Sequence, residues 1–338
     1  HFLVRNGFKP DKKTKDGKKI FSRIGAAGMP EKYTKAAFCA NEAVDFIKKN
    51  KNKPFLLHVN IFEPHMPFTG PLNNTYDPSK LPVGPTFLRQ PPVNASLRNR
   101  LAASWFKQTD TYNRKPLKGE AQWRRTMANY YGMVTMVDNA VGRILKALEQ
   151  SGQADNTIIV FTSDHGDQMG NHHILAKCVM YEESVTVPCF IYVPWMKSCR
   201  IAGAFSQVDL TPTLLDLMGQ PVPSHIQGVS RVKEMKAGSS LEDNPVFIEW
   251  NGNNGTHIPA GTPGKTAKRV KNQPWRTVVY RGWKLNLSPV DQCELYNLKD
   301  DPYEQVNLYH ESAQKGRIKK MTMLIKQWQK KTGDGIKI

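Results

Sequence analysis

Two short stretches of this chain gather side chains able to do chemistry. The first is Glu63-Pro64-His65-Met66-Pro67, where a carboxylate and an imidazole follow the apolar run Phe55-Leu56-Leu57-His58-Val59-Asn60-Ile61. The second is Ser163-Asp164-His165-Gly166-Asp167, which follows Ile158-Ile159-Val160-Phe161-Thr162. Asp164 and His165 offer a hard oxygen and an imidazole nitrogen to one divalent cation. Gly166 is expected to let the backbone turn sharply behind them. Thirteen residues past Asp164 stands Lys177, whose ammonium can hold an anionic ester oxygen and neutralise charge developing there. Each feature alone has an ordinary structural reading: a turn, a solvated loop lysine, a packed histidine between prolines.

The elements that must present these groups come next. In open α/β sheets, ligands collect at the carboxyl ends of strands. The two apolar runs, and a third at Val187-Pro188-Cys189-Phe190-Ile191-Tyr192-Val193, read as buried parallel strands. Between the first two lies a predicted helix over 120–150. Trp123, Met127, Tyr130, Val134, Val137, Val141, Ile144 and Leu148 recur there at three- and four-residue steps, and Gly152 ends it. Strand, crossover helix and strand predict a right-handed β-α-β unit. A compact helix is expected at 211–219, capped by Thr211, with Pro212 in its first turn and Gly219 at its end. Residues 71–118, rich in Pro, Asn and Arg, read as a long surface excursion. Beyond about residue 235, Pro245-Val246-Phe247-Ile248-Glu249-Trp250, Trp275 to Tyr280 and Trp283 to Leu287 look like short antiparallel strands. A last helix near 318–329 follows them. The expected organisation is a main α/β domain over 1–235 and a smaller α+β domain over 236–338.

Taken together, the chemical stretches have an order that is more specific than any of them. Asp164-His165-Gly166 leads through Gly170-Asn171-His172-His173 to Lys177 and then Tyr181-Glu182-Glu183-Ser184. Pro64-His65-Met66-Pro67 precedes them. Val208-Asp209-Leu210-Thr211-Pro212-Thr213-Leu214-Leu215-Asp216 and Glu294-Leu295-Tyr296-Asn297-Leu298-Lys299-Asp300-Asp301-Pro302-Tyr303-Glu304-Gln305-Val306-Asn307-Leu308 come after. In these blocks the chain resembles the sulfatases, of the alkaline phosphatase-like superfamily. That resemblance implies a mostly parallel sheet flanked by helices. It implies a divalent cation of the calcium type, with Asp164 and His165 as two of its ligands. Lys177 would contact the sulfate. His65 would contact the leaving-group oxygen and protonate it as general acid. His172 is a candidate substrate-binding residue; Glu63 is left open, and His173 stands where the family usually has glycine. The family's nucleophile is a formylglycine made from the cysteine of Cys-x-Pro/Ala-Ser-Arg. Here Cys39 is followed by Ala40-Asn41-Glu42 and Cys199 by Arg200-Ile201-Ala202. The paired aspartates of the first strand and the Gly-Lys-x-His block are also not found. The nucleophile is therefore expected in a missing N-terminal segment, with these residues alone inactive.

The implied activity is sulfate-ester hydrolysis on a sulfated sugar or polysaccharide. The alternatives are a phosphonate or phosphodiester hydrolase of the same superfamily, and an inactive polyanion-binding chain. Charge agrees with an anionic partner: 48 Lys and Arg against 29 Asp and Glu give +19. Nucleic acid is disfavoured, because the lysine clusters around residues 9–19 and 48–53 interleave no stacking aromatics. No run of 18 apolar residues suggests a membrane span. The five cysteines fit no zinc pattern, and Cys178 and Cys189 are expected to be small core residues. Sequons at Asn73, Asn94 and Asn254 permit glycosylation. With the resemblance, they point to a secreted, periplasmic or lysosomal-type compartment. The sequence sets no oligomeric state.

Overall fold

The structure is a computed structural model that describes residues 2–22, 28–109, 115–252 and 257–338; the Asn254 sequon lies outside them. The chain forms two compact units interleaved in sequence. One holds His1–Val83, Thr109–Thr162 and Cys189–Trp195; the other holds Gly84–Gln108, Ser163–Pro188 and Met196–Ile338.

In the first unit a short helix, α1 (Phe2–Arg5), precedes a two-stranded pair, β1 (Lys12–Lys13) and β2 (Lys19–Ile20). Two long helices dominate, α2 (Lys35–Lys49) and α4 (Gly119–Gln150). The Thr34 hydroxyl accepts the Ala37 N–H at 3.2 Å and so caps α2. Ala36 and Ala40 of α2 then pack against Ala140 of α4, with Ile61 and Ile144 around them. Small residues allow the two backbones to approach closely. Gly132 extends this logic, since a Cβ there would lie 2.3 Å from the Leu72 carbonyl oxygen. The helix over 120–150 is present, with Trp123, Met127 and Leu148 of the expected stripe buried; its buried face also runs through Met133, Met136 and Ala140, while Val134 is exposed. Apolar spacing located the helix; Gly132 and Ala140 add close-contact positions to its buried face.

Strands β3 (Ile159–Thr162) and β4 (Cys189–Tyr192) pair antiparallel, with Ile159 opposite Tyr192 and Phe161 opposite Phe190. This corrects the parallel pairing predicted for those runs, because apolar content does not encode strand direction. Residues 55–61 have no ladder partner among the described residues. They nonetheless alternate half-buried Leu57, Val59 and Ile61 with exposed Leu56, His58 and Asn60, the period of an extended strand. Cys189, expected in the core, is exposed.

The second unit centres on an antiparallel sheet in the order β5 (Val246–Trp250), β6 (Trp275–Tyr280), β7 (Trp283–Leu287) and β8 (Glu294–Asn297). Strands β5, β6 and β7 form where the sequence leads one to expect them, and β8 falls in the Glu294 to Leu308 block, for which no strand was expected. Arg281 and Gly282, with φ of 50° and 72°, make the two-residue turn between β6 and β7. Helix α9 (Lys315–Thr332) covers the sheet: Met321 and Ile325 join Val278, Leu285, Leu287 and Leu295 in one core. Trp328 stacks on Phe247 at 5.3 Å. Around this lie α3 (Leu97–Gln108), α5 (Glu182–Val185), α6 (Leu210–Leu217), α7 (Val232–Ala237) and α8 (Gly264–Lys271). Helix α3 corrects the reading of 71–118 as a surface excursion throughout. Its Arg98 and Asn99 are buried and hydrogen-bonded, so polar composition concealed an interior helix. Helix α6 starts after Asp209 rather than at Thr211. The Asp209 carboxylate is buried and paired with Arg231 at 2.6 Å, and Gly219 follows the helix at φ 66°. Among the described residues no helix is long and apolar enough to cross a membrane.

Candidate active site

Residues 163–178 form a loop in the second unit that begins directly after β3 in sequence. The Asp164 Oδ1 accepts the His165 N–H at 3.0 Å and the Ser163 hydroxyl at 3.3 Å. The Gln207 amide holds the Ser163 carbonyl at 2.6 Å. Asp164 Oδ2 stands 3.4 Å from His165 Nε2. The other ring nitrogen, Nδ1, lies 2.8 Å from the Gly166 carbonyl. A carbonyl only accepts, so Nδ1 carries the proton and Nε2 presents its lone pair beside Oδ2 in the neutral ring. A backbone-anchored Nδ1 with Nε2 turned outward is the form a metal-binding histidine takes. The pair thus suits two positions on one cation. No further His, Cys, Asp or Glu completes a group of three among the described residues.

Gly166 is required for a reason other than the sharp turn. Its N–H bonds the Ser184 carbonyl at 2.9 Å, and a Cβ would lie 2.0 Å from the Glu183 carbonyl oxygen. Behind it, Asp167 Oδ1 accepts the N–H groups of Met169 and Ala176 at 3.1 and 2.9 Å, drawing the loop's two ends together. Burial pushes the Asp167 carboxyl up to about 6, opposed by those two bonds and by the charges of Lys177 and His165. Lys177, half-buried, therefore lies within electrostatic reach of the residue behind the Asp164–His165 pair. The structure brings Asp164, His165 and Lys177 into one loop. Met169, His172, His173, Ala176 and Cys178 all have positive φ, which explains why a glycine would suit the position of His173.

The other matched blocks hold this loop in place. Asn171 bonds Glu183 at 2.9 Å, and Gln168 bonds the Ser184 hydroxyl at 3.0 Å. Glu182 reaches the fully buried Lys284 at 2.9 Å, and Lys284 also pairs with buried Glu304 at 2.6 Å. Burial pushes the Glu304 carboxyl up to about 8, against the pull of Lys284. His172 belongs to the same framework. It is buried, stacked on Tyr181 at 3.8 Å, and its Nε2 donates to the Tyr303 carbonyl at 3.0 Å. Burial drives its pKa down to about 4. The substrate-binding role expected of His172 is at odds with a ring enclosed in this way. His173 is half-buried, with Nδ1 3.1 Å from the Leu88 carbonyl.

His65 belongs to the first unit. Its Nδ1 lies 3.0 Å from the Met66 carbonyl and its ring packs on Phe62 at 4.6 Å. Glu63 beside it is partly buried, and desolvation raises its carboxyl above the usual range. Two further residues lie near Lys177. Buried Arg98 donates through Nε to the Cys178 carbonyl at 2.9 Å. His257 packs against Trp105 and Phe106 at 4.6 and 4.7 Å, its pKa driven down to about 4 by burial and by the charges of Arg98 and Lys177. No local pattern marks either one; only the fold collects them.

This arrangement can be set against known proteins. A sulfatase family model matches residues 5–220, and a model for the C-terminal part of N-sulphoglucosamine sulphohydrolase matches 170–331. The chain belongs to the sulfatase family. An arylsulfatase of Clostridium perfringens is 32% identical over 216 residues, covering 60% of this chain and 42% of that protein. A solved structure described as a complex with its substrate, D-glucosamine-2-N,6-O-disulfate, matches with a TM-score of 0.72 at 24% identity, covering 89% of this chain and 70% of that one. A phosphonate monoester hydrolase from Silicibacter pomeroyi matches with a TM-score of 0.76 at 20% identity, covering 98% and 68%. The chain spans about half the length of the curated relatives it matches. These likenesses give it the α/β fold of the sulfatases within the alkaline phosphatase-like superfamily.

Proposed function

We propose that these 338 residues hold half of the active site of a metal-dependent hydrolase acting on sulfated sugars or polysaccharides. The observation that carries this reading is the Asp164–His165 donor pair, with Nε2 and Oδ2 3.4 Å apart in the same loop as Lys177. Asp164 and His165 would hold a calcium ion, which supplies positive charge to bind and polarise the sulfate group. Lys177 offers its ammonium to the sulfate oxygens. His65, whose Nδ1 proton is committed to Met66, would carry a second proton at Nε2 and give it to the departing sugar oxygen. The family's nucleophile motif is absent from these residues, so its formylglycine would come from polypeptide outside them.

Calcium titration followed by calorimetry tests the site without turnover. The chain should bind the ion, and Asp164→Ala should weaken binding by at least about tenfold, as loss of a charged ligand implies. Turnover is tested on the intact gene product with a panel of sulfated glycans; sulfate release is expected from it and not from the isolated chain. Release of product only from phosphonate or phosphate esters would instead favour the phosphonate hydrolase reading, which the Silicibacter pomeroyi likeness keeps in view.

A further inference from the structure

Helix α9 carries seven Lys or Arg residues and no acid. With 3.6 residues per turn, Lys315, Lys319, Lys326 and Lys330 fall on one row, within about 60° of arc and over about 22 Å of helix. All four are exposed, and none is in an ion pair among the described residues. Their neighbours are used differently: Arg317 lies 3.7 Å over the Trp283 ring and Lys320 5.1 Å over Tyr280. The opposite face, through Met321 and Ile325, is locked into the core of the sheet. The row is therefore held straight by packing.

Its charges work against the helix that carries them. Lys315 and Arg317 stand in the first turn, at the positive end of the helix dipole. Lys315 with Lys319, and Lys326 with Lys330, are like-charged pairs four residues apart, each costing a few tenths of a kcal/mol. A surface arranged only for stability and solubility would intersperse acids. The chemistry also selects the partner. Four ammonium groups are point charges, suited to dense negative charge more than to the forked recognition that guanidinium gives phosphate. Thr322 borders the row and no aromatic lies in it, so nothing there stacks a base. Apart from Met323 at its edge, the outer face has no apolar stripe to enter a bilayer.

We infer that the row Lys315, Lys319, Lys326 and Lys330 is a docking track for a linear sulfated polysaccharide lying along α9. Its choice of ligand rests on the sulfated-carbohydrate reading above, but its test reads binding alone, so a failure of turnover leaves it standing. The full chain is titrated with a fluorescent heparin oligosaccharide at increasing salt. Replacing all four lysines by Gln should lower the slope of log affinity against log salt by about 3, at roughly 0.7 per lost contact. Affinity at about 0.1 M salt should fall at least about tenfold. The pair K326Q/K330Q should produce about half the slope change, which keeps the test readable should the fourfold variant fold poorly. Replacing Lys48, Lys49, Lys51 and Lys53, an equally basic cluster, should leave the slope nearly unchanged. The inference is overturned if the fourfold variant keeps the original slope or the control cluster loses as much. It is also overturned if duplex DNA of matched charge binds more tightly than the sulfated oligosaccharide.

Discussion

Gly166 shows how a single missing methyl group positions the candidate cation pair. A Cβ there would meet the Glu183 carbonyl oxygen at 2.0 Å, and backbone cannot give way as a flexible side chain can. Gly166→Ala should therefore cost about 1–3 kcal/mol or more, the range of overpacking, and should weaken calcium binding together with stability. Calorimetry and urea unfolding of one variant would test both; a variant of normal stability that binds calcium normally would refute the account. Glu304 gives a pH signature. Its carboxyl sits at about 8 in the folded chain, from burial opposed by Lys284, against about 4.3 when unfolded. The folded state thus favours the protonated form, so stability from this group is full at low pH and lost as pH rises through that window. The advantage of the native protein over Glu304→Gln should shrink steadily as pH rises between about pH 5 and pH 8. Parallel stability–pH curves for the two proteins would contradict it. Of the candidate residues, the motif order picked out Asp164, His165 and Lys177, which stand in one loop of the second unit. It could not separate His172 from them: a histidine that stacks on Tyr181 and bonds a distant carbonyl looks the same in sequence as one facing a ligand.

At the scale of elements, the end of α9 is tied to the sheet by one ion pair. Buried Arg276 on β6 meets both carboxylate oxygens of Asp334, each at 2.6 Å, and Gln329 bonds the same carboxylate at 2.7 Å. These bonds hold the Asp334 carboxyl well below its usual range. Asp334→Ala would leave a buried guanidinium with the Trp250 and Trp275 carbonyls and a single carboxylate, Glu249, 3.8 Å away, and should cost about 3–5 kcal/mol. The lowered pKa gives the sign with pH: the contribution is complete above about pH 4 and disappears as pH falls below it. Urea unfolding at pH 7 and pH 3 should therefore show a large deficit at pH 7 that narrows at pH 3. A deficit of the same size at both would remove the ion pair as its cause. Helices with a strong period, such as α4 and α9, were legible because the 3.6-residue repeat follows directly from burial of one face; β5 to β7 were legible as short runs rich in aromatic and aliphatic residues, although β6 and β7 each bury four residues in succession. Helix α3 was not, because its inward residues Arg98 and Asn99 are polar and satisfied by groups far away in sequence. The direction of β3 against β4 was hidden for a related reason: side chains record burial, while hydrogen-bond direction is set by the path between strands.

At the scale of the whole molecule, two large features oppose each other. The first unit leaves Leu56 88% and Phe190 66% exposed, with Phe161, Tyr192 and Trp195 exposed nearby in sequence or across the β3–β4 pair. An apolar two-stranded ribbon and an extended segment with no ladder partner among the described residues are templates for strand addition by another copy. Against this stands a net charge of +19, which keeps like molecules apart. Salt decides between them, because screening shortens repulsion while leaving apolar attraction intact. Self-association should therefore rise as salt increases from about 0.05 M to about 0.5 M, the reverse of the usual dissolving effect on charge-driven contacts. Light scattering across that range tests it. Leu56→Lys combined with Phe190→Lys should suppress the rise while changing stability by no more than about 0.5 kcal/mol, since neither side chain is in the core. Association that falls with salt, or persists unchanged in the double variant, would place the attraction in opposite charges and not in this apolar surface. The same experiment also bears on the polysaccharide track. A sulfated oligosaccharide on α9 lowers the net positive charge, so at low salt it should promote association of the native chain and leave the double variant dispersed.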